Sequence, residues 1–123
     1  KVAEFLWIAG NHDPKPPAWL GGSTAGEVTL GGLTLRHEPH PELHLGEVAG
    51  HLHPCATVGK WGRSVRRRCF VSDGLRLVLP AFGAYAGGLD VRNPAICDLF
   101  AGPYHAYMLG NRRVYAVAQK RSA

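Results

Sequence analysis

At 123 residues, with 46% hydrophobic and 19% charged side chains, the chain has the size and balance of one small globular domain and not of a disordered tail. Its formal charge of +5 suits an anionic partner, a nucleic acid or a phosphorylated substrate. Three scattered cysteines, Cys55, Cys69 and Cys97, form no Cys-x-x-Cys pair, which argues against a zinc ribbon, a redox pair or a disulfide scaffold and makes a reducing cytoplasm the default; no apolar run approaches the roughly 18 residues of a membrane span.

The elements follow from apolar patterning and turn residues. Glu4 to Ala9 is an apolar run ending at Gly10, read as a buried strand that feeds a functional loop. Asp13 to Gly22, with Pro14, Pro16 and Pro17, is a loop. Gly31-Gly32 divides Glu27 to His37 into a hairpin. Another Pro-containing loop, Glu38 to Glu42, leads to a strand over Leu43 to Ala49 that delivers Gly50-His51. Lys60 to Arg68 is a basic stretch carrying Arg63, Arg66, Arg67 and Arg68, read as a solvated turn before a strand or as a contact to nucleic-acid phosphates. Ser72-Asp73-Gly74 joins Arg68–Val71 to Leu75–Leu79 as a hairpin, since Asp-Gly suits positive φ. A Gly-rich loop spans Pro80 to Gly88, without the Lys-Ser/Thr of a P-loop. Asn93 and Pro94 are an N-cap and first-turn residue for a short helix reaching Phe100. Tyr104–Leu109 and Arg112–Ala118 make a last hairpin around Gly110-Asn111. The expectation is about seven strands and one or two short helices in a single unit.

Three places put metal-type ligands at strand ends, where a sheet scaffold presents functional groups. Asn11 and His12 follow the first strand, His37 ends another, and His51 and His53 follow a third. If His51-Leu52-His53 is extended, both imidazoles point to one face and can meet one ion or two adjacent ions. Asn11 adds a neutral oxygen, unlike the Cys and His set of a closed structural zinc site. Trp19 and Trp61 lie in loops, where packing in the core or at a rim is favoured over stacking on bases; His40, His44 and His105 read as surface histidines, and Cys55 as a small buried residue.

The order Gly10-Asn11-His12-Asp13, His37, Gly50-His51-Leu52-His53 resembles the last three motifs of the calcineurin-like metallophosphoesterases. Leu35-Arg36-His37-Glu38-Pro39, Val48-Ala49-Gly50-His51-Leu52-His53-Pro54, Arg68-Cys69-Phe70-Val71 and Leu79 to Leu89 are similar to one subgroup, the ligase-associated DNA damage response endonucleases (PdeM-like), and the resemblance runs from about Phe5 to Val117. It implies an α/β fold in which residues 1–123 form a single partial domain, the C-terminal, strand-rich half of a helix-flanked β-sandwich (αββα) with few short helices. It also implies a hydrolase that cleaves phosphodiester bonds, in nucleic acid such as DNA, as a DNA-repair-associated nuclease, with endonuclease, exonuclease and small phosphodiester hydrolase all open. Two divalent ions (Mn, Fe or Zn) serve that family. Asn11, His37 and His51 would hold one and His53 the other, while His12 would sit over the phosphate to stabilise charge or protonate the leaving oxygen. Asp13 could orient a neighbour, and Arg66 and Arg67 could meet the substrate.

The family's first two motifs, an Asp-x-His and a Gly-Asp, lie upstream of Gly-Asn-His-Asp, and the nine residues before Gly10 contain neither. The expectation is therefore a truncated chain that holds at most one ion and turns over poorly unless a missing N-terminal half or another chain completes the site. Two other readings stand beside it: a non-catalytic metal-binding domain, and a basic nucleic-acid-binding module. A partial domain of this kind should also expose an apolar sheet face or edge.

Overall fold

The computed structural model describes residues 4–10, 21–83 and 87–120. Among these, the chain forms eleven strands and one helix. They are β1 (Leu6–Ile8), β2 (Ser23–Ala25), β3 (Glu27–Leu30), β4 (Leu33–Arg36), β5 (Glu47–Ala49), β6 (Pro54–Lys60), β7 (Arg63–Ser72), β8 (Arg76–Val78), β9 (Leu89–Asp90), α1 (Pro94–Cys97), β10 (Tyr104–Leu109) and β11 (Val114–Gln119). β1 and β2 pair in parallel as a separate two-stranded sheet, and the rest join in one mixed sheet in the order β11-β10-β7-β8-β5-β4-β3. β7 is long enough to serve three partners: its first part pairs with β6, Cys69 to Ser72 pairs with β10, and Val71 and Ser72 pair with β8 on the other side. β6 continues to β9 in parallel.

The expected α/β, helix-flanked (αββα) architecture is not what forms. Among the described residues the single helix is four residues long, too little to make the helical layers of that architecture. The reason is local. β4, β5 and β8 run parallel, an arrangement that usually needs a crossover helix between neighbours. The segment joining β4 to β5 contains Pro39 and Pro41, which cannot continue a helix. The return from β5 to β8 is made instead through the β6–β7 hairpin. Among the described residues, only Asn93-Pro94 carries a complete helix start: the Asn93 side chain accepts from Ala95 N at 2.9 Å, and Pro94 opens the first turn.

Most hairpins fall where turn residues put them. β3 and β4 pair about Gly31-Gly32, β7 and β8 about Asp73-Gly74, and β10 and β11 about Gly110-Asn111. At the second turn Asp73 Oδ1 accepts from Leu75 N at 2.9 Å. Three readings needed correction. The basic stretch is not a turn, since only Trp61 and Gly62 separate β6 from β7 and Arg63 to Arg68 are strand. The strand before Gly50 begins at Glu47, not Leu43. β1 is not buried: Phe5 and Leu6 are exposed, and Trp7 donates from Nε1 to Gly21 O at 2.8 Å.

The core lies on one face of the large sheet. It gathers Ala56, Cys69, Val71, Val78, Ala106 and Met108 from the strands and Val91, Ile96, Phe100 and Tyr104 from the α1 segment and its flanks. Phe100 and Tyr104 stack with centroids 4.7 Å apart, and the Tyr104 hydroxyl donates to Val91 O at 2.7 Å, so a buried phenol leaves no unpaired proton. Apolar side chains remain exposed elsewhere, including the cross-strand pairs Leu30–Leu33 and Val58–Val65. No helix among the described residues is long and apolar enough to cross a membrane.

Candidate metal centre

The parallel trio β4, β5 and β8 sets the site. Residues that leave the carboxyl ends of neighbouring parallel strands emerge side by side, which is where open sheets carry ligands. Arg36 is in register with Ala49, so His37 and Gly50 leave the sheet together, tied by Gly50 N donating to His37 O at 2.8 Å. His37 Nε2 and His51 Nδ1 then lie 3.1 Å apart, with the rings edge-on at 70°. Both rings are half-buried. His51 also turns Nε2 toward Glu38 Oε1 at 4.0 Å.

Gly10 closes the site from the β1 side. A Cβ placed there would stand 2.8 Å from His37 Nδ1, so the backbone of the first loop lies directly on that imidazole. Only glycine permits this approach. The structure therefore brings the first motif's glycine, His37 and His51 together. Asn11, His12 and Asp13 lie outside the described residues, as does Trp19.

His53 is presented differently. The His51-Leu52-His53 segment is not extended: His51 has φ 72° and His53 φ 51°, and Leu52 N donates to Gly50 O at 2.9 Å. This tight bend separates the two rings that a strand would have aligned. His53 Nδ1 is 3.0 Å from Gly87 O. A carbonyl can only accept, so Nδ1 carries the proton and Nε2 of the neutral ring keeps its lone pair. Among the described residues no three His, Cys, Asp or Glu side chains converge as a metal cluster, so His53 is not gathered with His37 and His51.

The loop around Gly87 and Gly88 is held from two sides. Arg66 Nη2 donates to Gly88 O at 2.9 Å, and Leu89 N donates to His53 O at 3.0 Å. A Cβ at Gly88 would come within 2.4 Å of Cys55 Sγ, so this glycine is required by close approach. Arg68 Nη1 donates to Ala81 O at 3.1 Å on the same side. Strand alternation places Arg67 on the opposite face, so the two basic residues singled out in the sequence part company. The partner of His53 is a backbone carbonyl, and nothing in side-chain identity announced it beyond the Gly87-Gly88 pair.

Arg36, one residue before His37, belongs to a buried ionic network. Glu47 Oε2 accepts from Arg36 Nη1 at 3.2 Å and from His40 N at 2.8 Å, and Glu47 Oε1 accepts from Arg76. The Arg76 and Glu47 side chains are fully buried. Arg76 also donates to Leu99 O at 3.0 Å and His40 O at 2.6 Å, so almost every polar atom is satisfied. Such a network fixes geometry more than it adds net stability.

No family model and no curated protein matches the chain significantly. Among solved structures, the chain is similar to the crystal structure of a Pseudomonas putida nuclease, MPE, with TM-score 0.68 and 32% identity. The match covers 91% of this chain and 53% of that one, so the chain spans about half the length of the nuclease.

Proposed function

We propose that the chain is the strand-rich part of a calcineurin-like metallophosphoesterase, related to the ligase-associated endonucleases, that acts on phosphodiester bonds of nucleic acid. The observation that carries this reading is the convergence of Gly10, His37 and His51 at the ends of β1, β4 and β5. The fold likeness to a protein named as a nuclease supports it.

The donor set fits a divalent ion. Imidazole nitrogens bind such ions at about 2.0–2.1 Å, and two of them 3.1 Å apart subtend roughly a right angle at a shared ion. Without an ion, one ring must donate its proton to the other. Asn11, next to Gly10 in the sequence, is the third ligand in this reading, and what supports it is the approach of Gly10 to His37. His53, its tautomer set by Gly87 O, offers Nε2 to a second ion. Such ions lower the pKa of bound water and neutralise charge on the transferring phosphoryl group. In this reading His12 would stabilise charge on the phosphate or give a proton to the leaving oxygen. Arg66 holds the Gly87–Gly88 backbone, and through it His53.

One observation favours a second reading, a domain that binds a single ion without catalysis: His53 stands apart from His37 and His51. Titration with Mn²⁺, followed by electron paramagnetic resonance, tests both. One ion should bind per chain, and His37→Ala and His51→Ala should each weaken it at least tenfold. Binding indifferent to both substitutions would remove the site. Hydrolysis of a chromogenic phosphodiester that is lost in His12→Ala and His51→Ala supports the phosphoesterase; metal binding without turnover supports the second reading.

A further inference from the structure

On the face of β7 that carries Arg67, the sheet opens into a cleft of about 810 Å³ between the β6–β7 and β10–β11 hairpins. Its floor is the continuation of the core. Val58 and Val65 are cross-strand partners, and Tyr115 is paired with Met108. Ala56 and Met108 are buried where the core is closed, whereas Val58, Val65 and Tyr115, further along the same face, are 38%, 42% and 48% exposed. The rim is basic: Arg67, Arg112 and Arg113 line the cleft, and among the described residues no acidic one does. Arg113 lies over the Tyr115 ring at 5.0 Å and donates from Nε to its hydroxyl at 3.1 Å, which holds the ring as a flat, cation-backed plate. Trp61, 89% exposed at φ 55°, stands at the tip of the β6–β7 hairpin.

We infer that this cleft is a binding track for single-stranded nucleic acid, with bases on the apolar floor and Tyr115, and phosphates on Arg67, Arg112 and Arg113. An apolar, aromatic floor with a rim of one charge fits a strand whose bases are unstacked and whose backbone is anionic. A duplex hides its base faces and would leave the floor uncovered. The chain's net charge of +5 adds long-range attraction. The cleft contains neither His37, His51 nor His53, so it works without metal; it goes beyond the phosphoesterase reading and stands or falls separately.

The test is fluorescence anisotropy of a labelled oligothymidylate with the whole chain in EDTA, across a salt series. Affinity should fall linearly in log–log form, by about 0.7 for each phosphate neutralised on a single strand. Arg112→Ala/Arg113→Ala should lower affinity at least tenfold and reduce the slope by roughly 1.4, two phosphates' worth. Tyr115→Leu keeps an apolar floor but removes the ring, and should weaken binding roughly tenfold with the slope unchanged. These side chains are exposed, and circular dichroism and thermal unfolding should match the parent. Binding and slope unaltered in both variants would overturn the proposal. So would equal affinity for a duplex of the same length, or equal displacement by an acidic peptide, which would mark the cleft as a protein-docking surface. Loss of phosphoesterase activity with intact binding in EDTA would leave it standing.

Discussion

His51 and His53 occupy the left-handed region with φ of 72° and 51°, a conformation that costs a non-glycine residue about 1–2 kcal/mol. Such backbone persists where surrounding structure over-determines it, and here it aims His51 at His37 and His53 at Gly87. His51→Gly should therefore fold at least as stably as the parent, with a gain of up to about 1 kcal/mol in urea denaturation offset in part by glycine's unfolded-state entropy. The same variant should lose Mn²⁺ binding. Marked destabilisation would instead make the His37–His51 contact a structural one. Cys69 supplies a second residue-scale expectation. Burial, with smaller contributions from Cys55 and Asp90, pushes its thiol from 9.0 up to about 12. The folded chain then holds a proton that the unfolded chain releases, so this group lowers stability as pH rises above 9 and the loss continues toward 12. At neutral pH Cys69 is an uncharged thiol, and a disulfide-exchange reagent should modify it only on unfolding, after Cys97.

At the scale of elements, Glu47 determines how β4, β5 and β8 meet. It sits on β5 between Arg36 of β4 and Arg76 of β8, three positions before Gly50, and so locks the register that places His37 beside His51. Removing one partner of a buried ionic network strands the others, at a cost of about 3–5 kcal/mol. Glu47→Ala should lower stability by that amount in urea titrations, and Glu47→Gln by less, since it retains shape and acceptors. A loss under 1 kcal/mol would mean the two guanidiniums find water instead. This register could not be read from the sequence, because Glu47 and Arg76 are far apart in the chain and each alone resembles a surface charge. Hairpins were legible at Gly31-Gly32, Asp73-Gly74 and Gly110-Asn111, where turn chemistry is local. The β6–β7 hairpin was missed because its turn is Trp61-Gly62 and its strands carry arginines, whose charges conceal the alternation of Val58 and Val65 with outward residues. The candidate ligands were legible as strand-end histidines. The bend that parts His51 from His53 was not, since histidine gives no signal of positive φ.

At the scale of the molecule, the main path of the large sheet ends at β3 and β11, each paired on one side among the described residues. Unpaired strand edges invite pairing with another copy, and β3 carries exposed Leu30 beside exposed Leu33 on β4. A net charge of +5 opposes that approach. The two effects differ in their dependence on salt: repulsion between copies is screened over about 10 Å at 0.1 M and about 3 Å at 1 M, whereas apolar edge contact is not weakened. Sedimentation velocity should therefore show a monomer in dilute salt and growing association near 1 M. Leu30→Lys puts a charge on the β3 edge and removes half of the apolar pair, so it should hold the chain monomeric at salt concentrations where the parent associates. An Ala116→Lys change on β11 would test the other edge in the same way. If neither variant alters association, the sheet edges are not the contact, and the uncovered apolar floor between Val58, Val65 and Tyr115 becomes the surface to probe, by asking whether oligothymidylate dissociates the assemblies.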